Sequence, residues 1–142
     1  MKIAIASDHG GFALKEALKN HYKELNFTDL GTYSADSVDY PDYAQKMAHA
    51  ILNCDADLGI LICGTGIGIS IAANRYKGIR AALLYSTDAA RLAKAHNNAN
   101  ILVFGGRTMS VDDVVERIDT FLQTSYEGGR HQHRLDKLDI TE

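Results

Sequence analysis

The chain alternates short apolar runs with segments whose apolar residues recur every three or four positions. Lys2 to Ser7 is a run short and apolar enough for a strand buried on both faces. After Asp8-His9-Gly10-Gly11, the residues Phe12, Leu14, Ala17, Leu18, Tyr22 and Leu25 fall at helical spacing and predict a helix to about Leu25. Phe27 to Leu30 reads as a short strand closed by Gly31. Gly31 to Asp42, which carries the one proline, Pro41, reads as a loop. Ala44, Met47, Ala48 and Ile51 mark a second helix, and Leu58 to Cys63 is the strongest strand in the chain. A short helix from about Ile69 to Arg75 follows, then a strand over Arg80 to Tyr85. Ser86-Thr87-Asp88 offers N-caps for a helix over Thr87 to Ala95. Ile101 to Phe104 is a fifth strand, and Val111 to Leu122 a helix with Val111, Val114, Val115, Ile118 and Leu122 on one side. From Tyr126 the chain turns polar, and Gly128-Gly129 interrupts any continuous helix.

Strand and helix thus alternate about five times, which predicts an α/β fold with a parallel, doubly wound, five-stranded sheet and right-handed crossovers. No repeat or linker divides residues 1–142, so one domain is expected, with residues 126–142 as a C-terminal tail. In such sheets ligands sit at the carboxyl ends of the strands. The loops Ser7–Gly11, Cys63–Gly68, Tyr85–Thr87 and Gly105–Thr108 should therefore ring one crevice.

Composition narrows the classes. The 142 residues are 46% hydrophobic and 23% charged, as in an ordinary globular protein. Fifteen Lys and Arg against eighteen Asp and Glu give a net charge of -3, which argues against a nucleic-acid partner. Two cysteines cannot build a disulfide framework, so a reducing, cytoplasmic setting is expected, with Cys54 read as a packing residue. The first residues reach Asp8 too soon for a signal peptide. The uncharged stretch Leu58 to Ala73 is interrupted by Gly64, Gly66 and Gly68, so no membrane span is expected.

Four groups could carry chemistry. Cys63-Gly64-Thr65-Gly66-Ile67-Gly68 ends a strand and leads into a helix, where closely spaced glycines let amides turn toward an anion and favour a thiolate. It fits neither nucleotide signature: the dinucleotide pattern needs glycine where Ile69 stands, and a P-loop needs Lys-Ser/Thr after its last glycine. Asp8-His9 faces the same crevice. His96-Asn97-Asn98 closes the fourth helix, where a protonated imidazole is favoured. Arg130 and Arg134 are four apart, so in a helix they share a face and can converge on one dianion. His131 and His133 mimic a metal pair without a third ligand at suitable spacing, so no metal is expected. Each group also has a structural reading: Cys63 as a core thiol, Asp8 as a helix cap, His96 as a helix terminus, the arginines as a solvated face.

Taken together the motifs run in one order through nearly the whole chain. They are Ser7-Asp8-His9, Asp39-Tyr40-Pro41, Ile62 to Gly68, Ala72-Ala73-Asn74, Gly78-Ile79-Arg80-Ala81, His96-Asn97, Phe104-Gly105-Gly106-Arg107 and Tyr126 to His131. As a set they resemble the type B ribose 5-phosphate isomerases, a family shared with the galactose 6-phosphate isomerase subunits.

That resemblance implies a Rossmann-like three-layer α/β sandwich that interconverts ribose 5-phosphate and ribulose 5-phosphate without metal or organic cofactor. It assigns proton transfer between C1 and C2 to Cys63, with Thr65 assisting at the sugar oxygens. The amides of Gly64, Thr65, Gly66, Ile67 and Gly68 would stabilise the enediolate, and His96 would open the furanose ring. Asp8 and Asn97 would bind the sugar, with Tyr40 a lesser candidate there, while His9, Arg107, Arg130 and Arg134 would hold the phosphate. It also implies a homodimer or dimer of dimers whose sites are shared, with His96, Asn97, Arg130 and Arg134 reaching a neighbour's Cys63 crevice. One branch of the family replaces the cysteine by a glutamate six residues further along; here that position is Ile69, leaving Cys63 no local substitute. The family commonly continues His-Asn with Asp, whereas this chain has Asn98. The alternatives are a six-carbon sugar phosphate isomerase (galactose 6-phosphate or allose 6-phosphate) and, more remotely, a non-catalytic phosphosugar-binding subunit.

Overall fold

A computed structural model of the protein describes residues 1–140. Positions 141 and 142, the end of the segment read as a tail, lie outside the described residues. Five parallel strands form one sheet: β1 (Ile3–Ser7), β2 (Thr28–Asp29), β3 (Leu58–Cys63), β4 (Ala81–Leu83) and β5 (Ile101–Gly105). Their spatial order is β2-β1-β3-β5-β4, so β3 lies at the centre. The helices are α1 (Phe12–His21), α2 (Tyr40–Leu52), α3 (Ile67–Ala73), α4 (Thr87–Ala95), α5 (Val111–Gln123) and α6 (Arg130–Leu135).

Every residue of β1, β3 and β5 is buried, as their continuous apolar runs require when helices cover both faces. The two-residue period sorts their side chains into two cores. Ile3, Ile5, Ile60, Ile62, Leu102 and Phe104 pack with α1, α4 and α5. Ala4, Ala6, Leu61, Cys63, Ile101 and Val103 pack with α2 and α3. Alternation therefore sends the Cys63 side chain to the α2–α3 side.

Differences from the sequence-based expectation have local causes. Helix α1 stops at His21, and a 3-10 turn over Lys23–Leu25 ends in Asn26 at φ 49. Helix α2 begins at Tyr40, inside the segment read as a loop, because proline is tolerated in a helix's first turn and Pro41 sits there. Helix α3 begins at Ile67 rather than Ile69. Strand β4 is shorter than Arg80 to Tyr85 because the chain leaves the sheet to reach the Ser86 cap, whose side chain accepts the Ala89 N–H at 3.0 Å. Cys54, expected to pack, is exposed at φ 62 in the turn after α2.

One charged group is built into the core. Lys15 on α1 has a fully buried side chain whose Nζ lies 2.6 Å from Asp29 Oδ2 and 3.2 Å from Glu16 Oε1. Lys19 Nζ also reaches Asp29, at 2.7 Å. Burial alone would push the Asp29 carboxyl up; hydrogen bonds from Lys15, Lys19 and the Gly31 N–H outweigh it and hold the group below its ordinary value. Its contribution to stability is therefore present above the unfolded-state pKa and lost as pH falls through the folded one. Asp29→Asn leaves the Lys15 ammonium buried beside a weaker partner, and we expect a loss of about 3 kcal/mol at pH 7. Urea melts of wild type and variant should show that gap at pH 7 and a smaller one below about pH 4; equal gaps would contradict the assignment.

Candidate active site

The carboxyl ends of β1, β3 and β5 meet at one crevice, and backbone packing holds their loops together. Asp8 N–H donates to Ile62 O at 3.2 Å, Gly106 N–H to Cys63 O at 2.8 Å and Arg107 N–H to Gly64 O at 2.9 Å. A Cβ on Gly106 would stand 2.5 Å from Gly10 O, so two loops touch through bare backbone. Gly66 is required twice over: it lies at φ +81, and a Cβ there would come within 3.0 Å of Phe104 O.

That left-handed turn aims the Gly66 N–H at Cys63 Sγ, 3.2 Å away. The thiol is 4% exposed and accepts this N–H from the loop. Thr65 and Ile67 lie exposed at the mouth, with Thr65 Oγ1 accepting the Ile67 N–H at 3.1 Å. Gly64 and Gly68 are half-buried. The Tyr40 ring covers Gly68, and the Arg107 guanidinium stands beside Gly64.

Asp8 fills both roles open to it. Its Oδ1 caps the turn His9–Gly11 by accepting the Gly11 N–H at 3.1 Å, while its carboxylate stays at the crevice floor. His9 Nδ1 is tied to Val38, 3.1 Å from its nitrogen and 3.2 Å from its oxygen, which leaves Nε2 for a ligand. The structure thus brings Asp8, His9, Tyr40, Cys63, Gly64, Thr65, Gly66, Ile67, Gly68 and Arg107 together.

His96, Asn97, Arg130 and Arg134 do not join them within one chain. A crossover helix runs antiparallel to its strands, so the carboxyl end of α4 lies at the amino ends of the sheet. His96 is the C-cap of α4, and the chain from there enters β5 at Ile101. Cys63 pairs with Gly105 at the other end of that strand, about 13 Å on at roughly 3.3 Å per residue. Around His96 a second cluster forms. The Glu127 N–H donates to Ala95 O at 2.9 Å, which moors the tail against α4. The His131 ring stacks on His96, with centroids 4.1 Å apart and planes inclined by 16°. Glu127 Oε1 lies 3.3 Å from His131 Nε2 and 3.8 Å from His96 Nε2. Arg130 and Arg134 are exposed on α6, the helix that their spacing needed.

From the sequence, Glu127 receives no role and His131 only that of a metal-like pair with His133, although the spacing of four between Glu127 and His131 is a signal. With His96 they bring three ligand atoms within 4.8 Å of one another, a third partner that spacing did not reveal. The stacking sets this trio against a shared ion: lone pairs lie in the ring planes, and two nearly parallel planes do not meet at one bonded centre.

Residues 3–138 match the model of a family described as Ribose/Galactose Isomerase. A putative sugar phosphate isomerase of Rickettsia bellii is 51% identical over 139 residues, covering 96% of each chain. Ribose-5-phosphate isomerase B of Escherichia coli is 43% identical over 143 residues, covering 99% of this chain and 96% of that protein. Among solved structures, a Thermotoga maritima ribose 5-phosphate isomerase superposes with a TM-score of 0.93 at 57% identity over 97% of both chains. A Mycoplasma genitalium ribose-5-phosphate isomerase B with bound ribulose 5-phosphate gives 0.90 at 46% identity, over 96% of this chain and 93% of that one. Matched in sequence and in fold over nearly its whole length, the chain belongs to the ribose/galactose isomerase family, which holds the type B ribose 5-phosphate isomerases.

Proposed function

We infer that this chain interconverts ribose 5-phosphate and ribulose 5-phosphate in sugar phosphate metabolism, with Cys63 as the base. The observation that carries the reading is the Cys63 thiol, buried at the crevice floor and receiving the Gly66 N–H at 3.2 Å. The thiolate takes the proton from C2 of the open-chain aldose and returns it to C1, while the proton on O2 is transferred to O1. Negative charge develops on the sugar oxygens between these steps. Backbone donors of the 64–68 loop, already fixed by the fold, meet it without reorganisation; one such donor is typically worth roughly 3–4 kcal/mol. Thr65 Oγ1 lies at the mouth of the same loop, where it can relay the hydroxyl proton. Asp8 binds sugar hydroxyls, with Tyr40 bounding the sugar side. His9 and Arg107 hold the phosphate, whose binding positions the reacting carbons. No step calls for a metal or organic cofactor.

His96 opens the ring, and Asn97, Arg130 and Arg134 complete the sugar and phosphate contacts. Their place at the opposite end of the sheet from Cys63 supports a homodimer, or a dimer of dimers, in which they serve a neighbour's crevice. Ile67 and Ile71, one turn apart on α3 and each 55% exposed, give such a contact an apolar patch beside the site. We read residues 1–142 as one isomerase domain whose segment 126–142 carries the phosphate arginines. We place the enzyme in the cytoplasm: both cysteines are free, and no helix among the described residues is long and apolar enough to cross a membrane.

Three experiments test this. In buffer without added metal, turnover of ribose 5-phosphate should exceed that of galactose 6-phosphate and allose 6-phosphate. Cys63→Ala should lower kcat for ribose 5-phosphate at least about 100-fold while phosphosugar binding by calorimetry persists. Near wild-type turnover by that variant would remove Cys63 from the reaction. For shared sites, exchanged subunits of Cys63→Ala and His96→Ala protein should recover about a quarter of wild-type activity, since half the dimers then hold one intact site of two. No recovery after verified exchange would place each site within one chain.

A further inference from the structure

No carboxylate follows His96 directly in the chain, and the structure shows what Asn98 binds. Asn98 sits at φ 43, its side-chain oxygen accepts from Lys94 Nζ at 3.3 Å and its backbone oxygen accepts from Arg80 Nε at 3.0 Å. Its amide is therefore committed away from the imidazole. The carboxylate that does face His96 comes from 31 positions along the chain, in Tyr126-Glu127-Gly128.

We propose that Glu127 is the positioning residue of His96. Its carboxylate faces Nε2, and the stacked His131 ring fixes the plane, so that the tautomer and direction of the ring-opening group are set by the tail. Three observations support the role. Glu127 is held by its own backbone, since its N–H bonds to Ala95 O at 2.9 Å, one residue before His96. Its Oε1 lies between the two imidazoles, 3.8 Å from His96 Nε2 and 3.3 Å from His131 Nε2. The rings stack at 4.1 Å, so one face of His96 lies against His131, which is 8% exposed. A carboxylate on one imidazole nitrogen settles which nitrogen carries the proton and leaves the other to exchange with the substrate. Glu127 and His131 from the tail face the ring, while Lys94, in the last turn of α4, is engaged by Asn98.

The proposal rests on His96 being the ring-opening group, and substrate chemistry separates the two ideas. Ribose 5-phosphate is closed and must be opened. Ribulose 5-phosphate has its carbonyl at C2 and its O5 phosphorylated, so no hydroxyl is placed to close a five-membered ring. Exchange of its C1 hydrogen with solvent needs the thiolate and the amides but no ring opening. The experiment therefore measures two rates for wild type, His96→Ala, Glu127→Gln and the double variant: conversion of ribose 5-phosphate, and washout of label from C1 of ribulose 5-phosphate. Glu127→Gln keeps the size of the side chain and the backbone bond to Ala95. It should slow aldose conversion about tenfold, through kcat rather than KM, with label washout changed less than about twofold. In the His96→Ala background it should have no further effect, because the two residues act through one group.

Equal loss in both rates would mean that Glu127 supports the site as a whole, and would overturn the proposal. Slow conversion in His96→Ala with unchanged conversion in Glu127→Gln would overturn the positioning role and leave His96 in place. Unchanged conversion in both would remove His96 from ring opening, and the proposal with it.

Discussion

The parallel pairing of β3 between β1 and β5 is the constraint from which the rest of the molecule follows. Those three strands are buried on both faces and end together, Ser7 beside Ile62 and Cys63 beside Gly105. Their loops have no room to diverge. The Gly106 N–H is bound to Cys63 O, the Arg107 N–H to Gly64 O and the Asp8 N–H to Ile62 O, so moving one loop breaks backbone bonds of another. Glycines at the contacts let main chains touch, and the Gly66 turn points its N–H at a sulfur that strand alternation had already sent to the α2–α3 face. Donors fixed in this way are oriented before substrate arrives, which is what electrostatic stabilisation of a developing oxyanion requires.

The same pairing separates His96 from Cys63. Because β4 and β5 run parallel, the helix between them must return to the sheet's amino end, and His96 goes with it. No adjustment of side chains within one chain brings that imidazole to Cys63. In the homodimer proposed above, a two-fold axis that set the sheets of two chains with opposite ends together would bring the tail to a neighbour's crevice. The arginines of α6 lie on the same tail as Glu127, so under the proposed roles ring opening and part of the phosphate contact would come as one unit.

Much of this was legible in the residues. The runs at Lys2–Ser7, Leu58–Cys63 and Ile101–Phe104 read as buried strands because no polar residue interrupts them, and the alternation of period gave the parallel sheet. Boundaries set by local chemistry were harder. Tyr40 and Pro41 start α2 since proline suits a first turn, yet the surrounding loop composition hid it. Cys54 looked like packing because thiols usually are; its place in a left-handed turn is a property of the backbone that side-chain type does not report. The site divided in the same way. Residues on strand ends could be placed from topology, but the meeting of His96 with Glu127 and His131 depends on how a polar tail folds back after Gly128-Gly129. Only the spacing of Glu127 and His131 hinted at it.

The division also suits the two kinds of proton that the reaction moves. On the proposed mechanism the proton on carbon would leave and return through Cys63, and a thiol 4% exposed would limit its loss to water during the life of the enediolate. The proton moved in ring opening belongs to oxygen, exchanges with water in any case, and needs no such shelter. An imidazole at a helix terminus, with a side chain 38% exposed and open to solvent on one side, is adequate for it. In the role proposed for it, that imidazole would need direction rather than burial, and direction is what a stacked neighbour and a moored carboxylate would provide. Shielding at the centre of the sheet and orientation at its edge are thus met by different parts of one fold, each where its own physical requirement is easiest to satisfy.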